Sequence, residues 1–172
     1  MPSTYTLISS NVLSSSAASV TFSAIPATFT DLVLRVSGRT DRGSTFNTVL
    51  VEFNSNTSNY SYTTLTGQGS TASSTRLSSG SSGSFGVISG DTNTANTFGS
   101  GELYLPNYTA SQNKPYSVFT VNESNAATII NQGVYANLWQ NTSAITQIKL
   151  TPDNTTNFIS GSSFYLYGIK NS

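Results

Sequence analysis

Phe29-Thr-Asp-Leu-Val-Leu-Arg-Val-Ser-Gly-Arg39 is the stretch whose reading decides the fold. Leu32, Leu34 and Val36 fall on one face of an extended chain, while Asp31, Arg35 and Ser37 fall on the other, the period of two that marks a half-buried strand. Ile25-Pro26-Ala27 precedes it and cannot continue a central ladder, because proline has no N–H to donate. Gly38 and Thr40-Asp41-Arg42-Gly43 follow with turn chemistry. One face of this strand belongs to a core, and the other meets water or a partner.

The same alternation recurs along the chain. Val20 and Phe22 share a face, and so do Val49, Val51 and Phe53, with Leu50 and Glu52 opposite them. Tyr60 to Leu65, Ser84 to Ser89 and Phe98 to Leu105 are further strands by composition. In Tyr116 to Asn122, Ser117, Phe119 and Val121 oppose Val118 and Thr120. Ile129 to Trp139 is extended with a bulge or bend expected at Gly133. Ile148 and Leu150 share a face, and Phe164 and Leu166 face away from Tyr165, Tyr167 and Ile169. The predicted core is therefore Leu32, Leu34, Val36, Val49, Val51, Phe53, Phe119, Val121, Ile148, Leu150, Phe164 and Leu166.

With about ten short strands and no amphipathic helix, the pattern predicts an all-β protein, a two-sheet antiparallel β-sandwich of jelly-roll type. The 172 residues make one domain, led by a short N-terminal leader over about residues 1–17 that includes the apolar patch Tyr5 to Ile8. Gly67 to Gly83, rich in serine and glycine with almost nothing to bury, is expected to be a long exposed loop. No fixed-period repeat is present.

Composition closes off much chemistry. Cysteine and histidine are both absent, which removes disulfides, thiolate nucleophiles, the usual general base and the commonest zinc ligand. Only 8% of residues are charged, seven basic against seven acidic, where an ordinary domain carries about 25%. A neutral surface of hydroxyls and amides has no electrostatic grip on phosphate, so neither nucleic acid nor an anionic membrane is an expected partner. No stretch approaches the roughly 18 apolar residues of a membrane span, and the first residues lack the pattern of an export signal.

The candidate sites are correspondingly sparse. The glycine-rich segment has no Gly-Lys-Ser or Gly-Lys-Thr and no strand-to-helix context, so it does not read as a phosphate loop. Asp91-Thr92-Asn93-Thr94 and Asp153-Asn154-Thr155 lack the glycine and closing glutamate of a calcium loop and read as turns. No pair among Asp31, Asp41, Asp91, Asp153, Glu52, Glu102 and Glu123 sits in a hydrolase motif, and Asp31 and Glu52 are expected to pair with Arg35 or Arg39 on an exposed sheet face. No catalytic residue, cofactor or metal is expected. Aromatic side chains bring large contact area with a polar tip, so Tyr5, Tyr108, Tyr116 and Trp139 are the candidate partner contacts, with Tyr165 and Tyr167 as further members of a sugar-stacking platform or subunit interface, while about two thirds of these aromatics are expected to be core or sheet-face packing instead.

Several blocks resemble a known set of proteins. These are Ile25-Pro-Ala-Thr-Phe-Thr-Asp-Leu-Val-Leu34, Val51-Glu-Phe-Asn54 with Asn59-Tyr-Ser-Tyr62, Leu105-Pro-Asn-Tyr108, Leu138-Trp139 with Ile145-Thr-Gln-Ile-Lys-Leu-Thr-Pro152, and Tyr167-Gly-Ile-Lys-Asn171. They resemble small jelly-roll virion structural proteins of tailed phages of marine and aquatic bacteria, over roughly residues 16 to 171. The resemblance implies a fold and a virion context, not a chemistry. It implies a capsid decoration, or cement, protein on the outer surface of the assembled head, with the major capsid protein and further copies of itself, as a homotrimer, for partners. Pro2 to Ile8 and one end of the sandwich are then expected to meet the shell. The alternative it leaves open is a head-fibre or tail-fibre module that binds a host glycan.

Overall fold

The computed structural model describes residues 4–123 and 131–170. They form twelve strands in two antiparallel sheets, with no helix among the described residues. The larger sheet contains β1 (Tyr5–Val12), β3 (Asp31–Gly38), β5 (Tyr60–Gln68), β6 (Thr71–Gly80), β8 (Gly99–Leu105), β9 (Lys114–Asn122), β10 (Asn131–Trp139) and β12 (Ser163–Ile169), in the order β1-β12-β3-β8-β9-β10-β5-β6. The smaller contains β2 (Val20–Phe22), β4 (Phe46–Phe53), β7 (Gly83–Ser89) and β11 (Ile148–Pro152), in the order β2-β11-β4-β7. The chain passes repeatedly from one sheet to the other, as a β-sandwich requires.

Period-two alternation sets the core. Leu32, Leu34, Val36, Val49, Val51, Phe53, Ile148, Leu150, Phe164 and Leu166 are all buried between the sheets, each contributing about 1.5–3 kcal/mol. Strand β3 is central, paired on one side with β12 and on the other with β8. Strand β7 is buried along its whole length because it packs against β8, β9 and β10 as well as pairing with β4.

Phe119 and Val121 depart from the predicted core. Phe119 is 50% exposed and Val121 half-buried, whereas Tyr116, Val118, Thr120 and Asn122 face inward. Both faces of β9 carry apolar residues, so alternation alone does not choose between them. The space opposite decides: a Cβ on Gly86 would stand 2.8 Å from Thr120 Oγ1, and one on Gly101 would stand 2.9 Å from Thr120 Cγ2 and 2.6 Å from the Phe85 ring. Only a small side chain fits at position 120, and Phe119 is turned outward.

Three other expectations are corrected. Residues 67–83 are not a loop: β5 and β6 form a hairpin turned at Gly69, whose φ is +57°. Nine of the ten β6 residues are exposed, so a burial argument misses the strand. Serine and threonine hold it instead, through hydroxyl pairs Thr64–Thr75 at 2.7 Å and Thr66–Ser73 at 2.8 Å. Gly133 is not a bulge, since β10 keeps regular register with both neighbours. Its hydrogen makes room for Tyr135, whose ring a Cβ would meet at 2.6 Å. Residues 5–12, expected within a leader, form β1 at the edge of the large sheet. Pro2, Ile129, Ile130 and Asn171 lie outside the described residues.

Candidate functional site

Of the four aromatic residues singled out as partner contacts, three are interior. Tyr108, Tyr116 and Trp139 are buried, and Tyr5 alone is exposed, at 47%. Tyr116 and Trp139 join Phe53 and Tyr60 in one cluster, with Phe53 edge-on to Tyr116 at 5.1 Å and Tyr60 stacked on Trp139 at 6.1 Å between ring centroids. Tyr60 Oη accepts the Phe53 N–H at 2.7 Å and donates to the Asn56 carbonyl at 3.2 Å. Burial pushes its hydroxyl up to about 12 despite that accepted bond. Burial likewise raises Tyr116 well above the usual phenol value, and raises Tyr108, whose hydroxyl donates to the Pro26 carbonyl. These side chains hold one end of the sandwich together and present no surface to a partner.

The exposed apolar surface lies elsewhere. Among the described residues Tyr5, Leu7, Val12, Leu65, Tyr104, Phe119 and Val134 are the large hydrophobic residues left exposed, together with Leu77. Strand register places the first seven on the outer face of the large sheet. Leu65, Val134, Phe119, Glu102, Arg35 and Tyr165 follow one another directly across β5, β10, β9, β8, β3 and β12. Tyr104, Val33, Tyr167 and Leu7 form the next row across β8, β3, β12 and β1. A register shift between Leu7 and Ser9 then keeps Val12, opposite Ser163, on the same side. Scattered exposed hydrophobics are ordinary; seven on one face are a patch.

Charge on this face is internally cancelled. Arg35 Nε donates to Glu102 Oε2 at 2.8 Å, and the Arg35 guanidinium lies 5.9 Å from the centre of the Tyr5 ring. Both members of the ion pair are about half exposed, so the pair adds little stability. Asp31 does not pair with an arginine: its carboxylate accepts the Tyr104 hydroxyl at 2.8 Å and the Asn107 N–H at 2.9 Å. That bond raises the Tyr104 hydroxyl above its ordinary value. Glu52 pairs with Lys149 at 3.3 Å across the small sheet. Two shallow depressions flank Phe119. One, of about 350 Å³, is lined by Arg35, Glu102, Ser37, Ser100, Ser163 and Tyr165, and the other, of about 260 Å³, by Leu65, Gln132 and Val134.

Two cations are buried. Arg39 is 5% exposed, and its guanidinium donates to the carbonyls of Asp91, Asn93, Thr94 and Thr97 at 2.8–3.1 Å. Lys114, 1% exposed, donates through Nζ to the carbonyls of Ala110 and Gln112, and burial lowers its ammonium below the ordinary value. Each loop winds its carbonyls round a positive charge. Sequence reasoning put Arg39 on an exposed face and gave Lys114 no role, because the acceptors are main-chain groups that leave no mark in residue type.

Among the described residues no three acidic side chains stand together as metal ligands would. No protein-family model, curated protein or solved structure matches the chain.

Proposed function

We propose that this chain is a non-catalytic structural component of a phage particle that decorates the outside of the capsid and works by protein–protein contact. The observation that carries the reading is the outer face of the large sheet, an apolar, internally neutralised surface on a chain in which several carboxylates hold structural partners. Asp41 accepts two bonds from Asn157, and Asp31, Glu52 and Glu102 have the partners described above. The resemblance of the strand and turn blocks to virion proteins supports the particle as the setting. The two-sheet antiparallel sandwich is compatible with it too, and we read the path of the chain as a jelly-roll wrap in which one strand has expanded into the meander β8-β9-β10.

On a repeating lattice, modest individual contacts add up through multivalency, so a small neutral domain can hold to a shell without strong single bonds. Cryo-electron microscopy of the particle tests the reading. Density for this fold over the head at lattice stoichiometry is expected, and density confined to the tail overturns it. The depression beside Phe119 favours a second reading as a glycan-binding module, because Phe119 and Tyr165 bring ring surface to a rim carrying Arg35, Glu102 and three serine hydroxyls. Glycan-array binding that Phe119→Ala abolishes, with the fold intact, would establish that alternative.

A further inference from the structure

We infer that the outer face of the large sheet is covered by a second copy of this chain, patch against patch about a symmetry axis passing near Phe119. The inference rests on the reading of this face as a protein-docking surface and names its occupant. Three observations select a second copy.

The first is size. Eight strands about 4.8 Å apart span about 34 Å, and seven to nine residues in each central strand at about 3.3 Å give about 25 Å. The face therefore offers about 850 Å², close to the roughly 800 Å² that each partner contributes to a stable interface.

The second is charge. The outward charged side chains on its strands are Asp31, Arg35, Glu102 and Arg76, two of each sign, and Arg35 and Glu102 neutralise one another. A face with net charge repels its own copy; this one does not.

The third is uniqueness. Among the described residues Leu77 is the one large hydrophobic exposed off this face, so two copies can set apolar surface against apolar surface in one way only. A two-fold axis through the patch satisfies that condition, because an isologous contact sets the same surface of both copies together. The central residues of such an interface are Phe119, Val134 and Leu65, where removal of water is most complete.

The test is sedimentation equilibrium of the purified full chain at micromolar concentration, on wild type and three variants. Wild type is expected at a multiple of the 18.2 kDa chain mass. Phe119→Glu and Val134→Asp each place an unpaired charge in the apolar contact and are expected to weaken association about a hundredfold, with an unchanged β circular dichroism spectrum. Thr21→Glu, at the one exposed position of β2 in the other sheet, is expected to leave association intact. A monomeric wild type, or an oligomer that neither face substitution weakens, overturns the inference. Binding to heads stripped of the protein is measured separately. A monomer that still coats heads refutes this inference and leaves the proposed function standing, and an oligomer that ignores heads does the reverse.

Discussion

Arg39→Met removes the guanidinium while keeping much of its apolar stem, and strips the 91–97 loop of the donor that organises it. Four N–H···O=C bonds at 2.8–3.1 Å are lost. A hydrogen bond from a charged donor contributes about 1.5–3 kcal/mol net, but the four are not additive, because the loop relaxes and water reaches the released carbonyls. Relief of the desolvated charge offsets a further part. The expected loss is about 3–5 kcal/mol. Arg39→Lys retains a charge with three donors on a compact head that cannot span four carbonyls, and should fall between wild type and Arg39→Met. Urea unfolding gives the stability change at constant slope, and amide exchange reports the loop, where the Asn93 N–H bonds to Gly90 and the Thr97 N–H to Thr94. Exchange there should accelerate well before global unfolding in both variants. A loss under about 1 kcal/mol for Arg39→Met, with exchange at Asn93 and Thr97 unchanged, would refute the claim that the guanidinium holds this loop.

Alkaline pH should destabilise the fold. Tyr60 has its folded value raised from 10.0 to about 12, so its contribution is fully present below pH 10 and is lost as pH rises towards 12, amounting to about 2.7 kcal/mol for a shift of that size. Urea titrations from pH 9 to 12 should show a steep fall that Tyr60→Phe makes shallower. Lys114 acts in the opposite sense: its lowered folded value means the unfolded chain holds the proton longer, so its contribution to stability grows as pH rises from that value towards 10.5. Lys114→Met should therefore steepen the alkaline loss. Gly133→Ala places a Cβ 2.5 Å from Tyr135 Oη and 2.6 Å from its ring and should cost about 1–3 kcal/mol in urea unfolding, a cost that persists in the double variant with Tyr135→Phe, whose ring carbons still collide. Because the docking face carries no net charge, self-association should change less than about threefold between 50 mM and 1 M sodium chloride, in contrast to a charge-steered contact.

Much of the sandwich was legible because the faces of β3, β4, β11 and β12 differ sharply in polarity, and alternation then assigns each residue to one side. Where both faces of a strand are apolar, as with Val118 and Phe119 in β9, periodicity finds the strand but not its orientation. Where both are polar, as in β6, it finds nothing to bury and reads a loop. The candidate site fared worse for the same reason. Tyr108, Tyr116 and Trp139 attract notice as aromatics, yet their size suits the widest interior spaces just as well, and no local signal separates the two uses. Tyr5 is the one of the four that stands exposed, on the edge strand β1. Arg39 was misplaced and Lys114 passed over because their partners are carbonyls brought together by folding.

The inner glycines tie the core to the surface. Gly86 and Gly133 leave a slot for the Tyr135 ring, and Gly83 receives the Tyr116 hydroxyl, with which an added Cβ would collide. Gly101 does the same for Phe85, where a Cβ would stand 2.6 Å from the ring. Rings from β7, β9 and β10 thus fill the space that neighbouring strands leave empty, and the large sheet approaches β7 closely over β8, β9 and β10. That close approach leaves position 120 room for threonine and none for phenylalanine. Phe119, one residue away, must then project from the opposite face, beside Val134 and across from Glu102. The packing behind it thus decides the face from which the ring projects, and the backbone under the proposed docking surface is already set. Backbone ordering therefore adds no cost on association, and only side-chain rotamers remain to be fixed there.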